Sequence, residues 1–190
     1  MEADKKPDYS SKMEKELAAL IDELSFDDEM PKQFLKSRWL DQLVWMDNAS
    51  KKNQKYYYVF RLSCIVGGVL IPALVSVDAN GTLDGVLHIL TVLLSLIVAV
   101  SAAVEEFFHF GERWRHYRRM AEILKGEGWS FFQRSGNYGK YESHADAYPE
   151  FAGRVEVIFQ KEVEMFITKV SKEKADDNKP SKQGSVSNQS

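Results

Sequence analysis

VFRLSCIVGGVLIPALVSV (59–77) and VLHILTVLLSLIVAVSAAV (86–104) decide the fold of this chain, and the eight residues DANGTLDG (78–85) join them. Each apolar run is 19 residues long. At about 1.5 Å of rise per helical residue, each spans roughly the 30 Å hydrocarbon core of a bilayer. The second run holds no Asp, Glu, Lys or Arg, and the first holds only Arg61, near its start. A long side chain there can reach the headgroups. A pair of buried helices in a soluble protein would need far more chain to cover them on all sides. The reading is an all-α membrane protein, a two-span transmembrane helical hairpin continuing into a cytoplasmic helical bundle.

The flanks give the orientation. Lys36, Arg38, Lys51, Lys52 and Lys55 precede the first run, and Arg113, Arg115, Arg118, Arg119 and Lys125 follow the second. The connecting turn carries Asp78 and Asp84 and no Lys or Arg. Positive flanks stay inside, so both termini are expected in the cytoplasm of a cell whose inner (plasma) membrane holds the protein. The hydrophilic start MEADKKPDYSSKMEKE does not read as a cleavable signal, so the first span is expected to direct its own insertion.

Whole-chain averages conceal all of this. A mean hydropathy of −0.35 and a net charge of −3 describe an ordinary soluble domain only because polar helices dilute two apolar ones. The single cysteine, Cys64, excludes an intramolecular disulfide framework and reads as a small packing residue.

Three segments follow along the chain. Residues 1–30 form a polar segment with a short amphipathic helix from Ser11, its apolar face Leu17, Leu20, Ile21 and Leu24. Residues 31–170 form the main domain, with spans at about 59–77 and 86–104 and cytoplasmic helices at about 31–55, 105–126 and 149–170. Pro31 suits the first turn of the helix carrying Phe34, Leu35, Trp39, Leu43 and Met46, which can run into the first span with a bend near residues 48–52. The second span is expected to continue unbroken to Lys125, about 60 Å, with Gly111 its one weak point and Trp114, Tyr117, Met120, Ile123 and Leu124 its apolar stripe. The glycine-rich stretch after it reads as a loop with a helical piece at 129–134. Pro149 is expected to open the last helix, with Phe151, Val155, Ile158, Phe159, Val163 and Phe166 on one face. Residues 171–190 read as a disordered tail.

Chemistry is sparse. Glu105, Glu106, His109, Glu112, Arg113 and His116 cluster at the inner end of the second span. Glu106 and His109 have the Glu-x-x-His spacing of di-iron bundles, but a second copy and two further carboxylates are lacking, so no metal and no cofactor is expected. Glu105 or Glu106 can instead pair with Arg61 at the membrane edge, or form a ring of carboxylates at a pore mouth. His88, Thr91, Ser95, Ala99, Ala102 and Glu106 recur every three or four residues, a face fit either to line water or to pack helices. The basic run from Arg113 to Arg119 suits topology or anionic lipid rather than nucleic acid. No zinc-protease HExxH, phosphate loop, nucleophile elbow or paired CxxC is present, and no enzyme is read.

RWLDQLVWMD (38–47), GGVLIPALVS (67–76), the run from Glu112 through AEILKGEGWSFF to Tyr138, and FAGRVEVIFQKE (151–162) together resemble the SLATT group of bacterial two-span membrane proteins, in a branch of single-domain members. The resemblance covers about residues 31–170. It implies a membrane hairpin with helical extensions, and a role as a pore-forming effector whose partner senses a nucleotide signal. Residues 1–30 and the tail are too short for a fused sensor, so a trigger would come from another protein, an ion, voltage or a lipid.

Two functions fit these residues. One is a homo-oligomeric, cation-selective pore with Asp78, Asp84, His88, Thr91, Ser95, Glu105, Glu106 and His109 as pore-lining or ion-interacting candidates. The other is a non-conducting anchor whose cytoplasmic bundle, with Trp39, Trp45, Trp114 and Trp129, binds a protein partner. The lipid bilayer is a partner in both.

Overall fold

The computed structural model describes residues 9–77 and 82–177, with side chains through residue 164 apart from Thr82. Five helices account for nearly all of them. Helix α1 is Tyr9–Glu23, α2 is Met30–Val75, α3 is Thr82–Phe108, α4 is Phe110–Phe132 and α5 is His144–Asp177. The expected turn signal Asn80-Gly81, Asp78, the first eight residues and the end of the tail lie outside the described residues.

Helix α2 organises the rest. It runs 46 residues, about 69 Å, through what the sequence reads as cytoplasmic helix and first span. The expected bend at residues 48–52 is absent. The irregularity comes earlier, as a π-helical turn over Leu35–Leu40 in which the Asp41 N–H donates to the Lys36 carbonyl. Inserting one residue into that turn lets Leu35, Trp39 and Leu40 all point inward.

Helices α3 and α4 lie antiparallel along α2 in one continuous register. Cys64 Sγ is 3.8 Å from the Val98 carbonyl oxygen, Ser50 Oγ donates to the Trp114 carbonyl at 3.2 Å, and Trp39 Nε1 donates to the Leu124 carbonyl at 3.0 Å. Glycines set the spacing. A Cβ on Gly67 would fall 2.1 Å from Val98 Cγ2, and one on Gly128 would fall 2.1 Å from Trp39 Cζ2.

The second span and its extension are not one helix. His109 adopts φ 50° and ψ 44°, ending α3 and starting α4. Its carbonyl accepts from the N–H groups of Glu112 and Arg113. A left-handed residue other than glycine costs about 1–2 kcal/mol. Phe110 offsets it, packing on Tyr56, Phe60 and Phe108 at centroid distances of 5.3, 5.7 and 5.3 Å. Gly111, the expected weak point, lies inside α4, where its missing side chain admits the Tyr57 ring.

Helix α4 continues through Gly126 and Gly128, which composition reads as loop, because Gly128 is the seat of the Trp39 indole and packing overrides propensity there. It closes with Ser135 N–H donating to the Ser130 carbonyl and Arg134 N–H to Phe131, a Schellman motif with Arg134 at φ 47°. Helix α5 starts at His144 rather than Pro149, capped by Ser143 Oγ accepting from the Asp146 N–H at 3.1 Å. It extends through residues 172–177, which composition reads as tail.

The core lies in the bundle. Met13, Leu17 and Ile21 of α1, Leu35, Trp39, Leu43 and Met46 of α2, Met120, Leu124 and Phe131 of α4, and Phe151, Val155 and Phe159 of α5 are buried, and Tyr138 from the loop joins them. Trp45, Ile123, Trp129 and Val163 are exposed, so Trp39 is the one tryptophan fully in the core. Leu62, Val69, Leu93 and Ile97 are 52–68% exposed, part of an apolar band around α2 and α3.

Gly128→Ala should therefore destabilise the bundle by about 1–3 kcal/mol through displacement of the Trp39 indole. Gly126→Ala, facing open space, should be neutral or stabilising by up to about 1 kcal/mol. Thermal unfolding of the two variants followed by circular dichroism checks the contrast.

Candidate functional site

The polar residues of α3 divide into two sets. Leu87, Thr91, Leu94, Ser95, Val98, Ser101, Val104 and Glu105 are buried or half-buried towards the hairpin seam, while His88, Ala99, Ala102 and Glu106 are exposed on the flank beside it. Thr91 Oγ1 donates to the Leu87 carbonyl and Ser95 Oγ to the Thr91 carbonyl, each at 2.8 Å. Both hydroxyls are thus satisfied within their own helix. Asp84 lies exposed in the first turn of α3, and Asp78 falls outside the described residues.

At the inner end the candidates do not converge. Arg61 is exposed and, among the described residues, forms no ion pair with Glu105 or Glu106. The left-handed backbone at His109 takes its ring off the regular helical face that Glu106 occupies, so the Glu-x-x-His spacing does not sit on one turn. Among the described residues no three His, Cys, Asp or Glu side chains come together as a metal site. His116 instead meets Glu162 of α5, Nε2 to Oε1 at 3.1 Å.

Residues 41–146, more than half of the chain, match the model of a family described as a protein of unknown function, DUF4231. The chain belongs to the DUF4231 family. The matched region begins just after the π-helical turn and ends in the first turn of α5, so it holds the hairpin and its α4 extension and leaves α1 and most of α5 outside. No curated protein and no solved structure is detectably similar to this DUF4231 chain.

Two charged clusters in the bundle escaped the sequence reading. Asp47 is fully buried on α2, yet Ser10 Oγ donates to its Oδ2 at 2.6 Å and Lys51 Nζ lies 3.2 Å from the same oxygen. Arg118 Nη1 and Lys125 Nζ approach its Oδ1 at 3.4 and 3.9 Å. Burial pushes the Asp47 carboxyl up, but the Ser10 and Lys51 hydrogen bonds and the Lys51 and Lys125 charges outweigh it and hold the group below the usual carboxylate range. One carboxylate thereby ties α1 and α4 to α2. Asp47 and Lys51, at i and i+4, look in the sequence like a surface pair, and only the distant Ser10, Arg118 and Lys125 reveal otherwise.

The second cluster ties α4 to α5. Arg154 grips Glu127 through Nε at 2.5 Å and Nη2 at 3.0 Å, and the buried Tyr138 hydroxyl donates to the same carboxylate. Burial pushes Glu127 up, and the Arg154 and Tyr138 hydrogen bonds more than reverse it. The Tyr138 hydroxyl is pushed up, first by burial and then by Glu127.

Both carboxyls have folded-state values below their unfolded ones, so their stabilisation is complete above the ordinary carboxylate range and drains away below about pH 4. Asp47→Asn should destabilise the bundle by about 3 kcal/mol, because Lys125 is left nearly buried without its anion, and should flatten the acid limb of stability against pH. Denaturant melts of the purified protein between pH 3 and pH 7 check both effects.

Proposed function

We propose that this DUF4231 protein is a two-span membrane protein, both termini in the cytoplasm, whose copies associate around the exposed flank of α3 to form a cation-conducting pore. One observation carries the reading. In an otherwise apolar exposed band, the flank of α3 presents His88, Ala99, Ala102 and Glu106, with Asp84 at its outer end. Ionisable side chains facing lipid are costly, and burial against another copy around water relieves that cost. Two helices cannot enclose an aqueous path, so the pore requires an oligomer. Carboxylates at its two mouths raise the local cation concentration. Thr91 and Ser95, with hydroxyls satisfied at the seam, play a packing part rather than lining the path. The resemblance of the sequence to the SLATT group points the same way.

A second reading rests on a separate observation. Trp45 and Trp129 are 54% and 46% exposed on the bundle, a common feature of protein-docking surfaces. In that reading the hairpin anchors a bundle that recruits a cytoplasmic protein and conducts nothing.

Ion flux into liposomes carrying the purified protein, together with its mass in detergent, separates the two. The pore predicts a defined oligomer, measurable flux, and a severalfold loss of cation-over-anion preference in Glu106→Gln. A silent monomer would remove the pore, and a silent oligomer that captures a partner through Trp45 would favour the anchor.

A further inference from the structure

The arginines of the bundle and those beside the spans differ in one respect. Away from the apolar band each is engaged: Arg38 with Glu156, Arg118 with Asp47 and Glu122, Arg154 with Glu127, and Arg134 with the Glu142 carbonyl. Close to the band, Arg61 and Arg115 are exposed and, among the described residues, form no ion pair or hydrogen bond, although Glu105 and Glu106 are at hand. A guanidinium at the edge of a low-dielectric layer needs an anion, and here the protein supplies none.

The seam aims these two side chains at one point. Tyr57 packs on Gly111, whose added Cβ would fall 2.8 Å from the ring. Arg61 stands four residues above Tyr57 on α2, and Arg115 four residues below Gly111 on α4, so their Cα atoms are about 12 Å apart along the seam. Side chains lean towards the N-terminus of their helix. On α2 that direction is out of the apolar band, and on antiparallel α4 it is towards the band. Arg115 Nη1 duly lies 3.6 Å from the Cβ position of Gly111, a full turn back along α4. Each residue is an i+4 neighbour of a seam residue on antiparallel helices of the same hand, so both fall on the same side of the seam. They converge at the level of Tyr56, Tyr57 and Tyr58, residues that favour the headgroup layer.

We propose that Arg61 and Arg115 together bind the phosphodiester of an anionic glycerophospholipid of the cytoplasmic leaflet, over the Tyr57–Gly111 contact. Guanidinium groups match phosphate oxygens in a fork geometry. Charge complementarity selects this occupant, and the apolar band directly above, with Leu62 at 59% and Ile65 at 56% exposure, receives its acyl chains. The site rests on the two-span reading but not on conduction.

Native mass spectrometry of the full-length protein, released from detergent with phosphatidylglycerol or phosphatidylcholine, tests it. Preferential retention of phosphatidylglycerol is expected, reduced about fivefold by Arg61→Gln or Arg115→Gln. Arg115→Lys should keep most of the preference. Lys15→Gln, on α1 far from the band, should leave it unchanged. Equal retention of the two lipids, or wild-type preference in Arg115→Gln, would overturn the site. Displacement of phosphatidylglycerol by millimolar inorganic phosphate would also overturn it, by showing a site for the free ion. If Arg61→Gln does not fold, Arg115→Gln alone decides, since its side chain lies on the exposed surface of the bundle. A protein that stays soluble without detergent would instead refute the membrane reading itself, an outcome distinct from a membrane protein indifferent to lipid charge.

Discussion

Everything in this structure answers to the continuity of α2. One helix passes from the apolar band into the bundle without a break, so whatever packs on it must follow the same line through both environments. The partner meets that demand with two helices rather than one. Close contact is secured at Gly67 in the band, at Gly111 on the boundary and at Gly128 in the bundle. The change of direction between the two helices is concentrated in a single left-handed residue, His109, with Phe110 filling the corner. Trp39 and the Leu124 carbonyl close the far end.

The bundle is held by unlike means at its two sides. Towards α1 and α4 the fixing element is a buried carboxylate, Asp47, encircled by donors from three helices. Towards α5 it is a ring cluster, with Phe131 and Phe151 4.5 Å apart and Phe131 and Tyr138 5.7 Å apart, overlaid by the Arg154–Glu127 fork. Apolar burial supplies most of the stability in such a core. The charged groups add register, since each has partners that only one arrangement of the helices brings within reach.

Much of this was legible in the chain. The two apolar runs announced the hairpin, and the helical spacing of Leu35, Trp39, Leu43 and Met46, and of Phe151, Val155 and Phe159, announced the buried faces. What escaped were features without a periodic signature. A π-helical turn at residues 35–40 leaves no mark in composition. A histidine at φ 50° is not foreseen where Gly111 stands two residues away as the conventional breaker. Gly126 and Gly128 argued for a loop because the reason for Gly128, the face of an indole 89 positions earlier, is entirely non-local. The polar face of α3 was recognised as a set, but whether Thr91 faces water or its neighbouring helix depends on a rotation of less than a quarter-turn, finer than a three-or-four-residue repeat can specify.

The reach of Trp39 has a further consequence for biosynthesis. Its acceptor, Leu124, and its seat, Gly128, lie on the far side of the hairpin from it in the chain. In the two-span arrangement the ribosome must therefore deliver both spans, and the second must return the chain to the cytoplasm, before the bundle can close. Until then the inward face of α2, with Leu35, Leu43 and Met46, stands uncovered. A molecule whose second span failed to cross would keep that face exposed indefinitely and remain open to chaperones and proteases. Closure of the bundle thus doubles as a check that the hairpin has been inserted with the correct number of crossings.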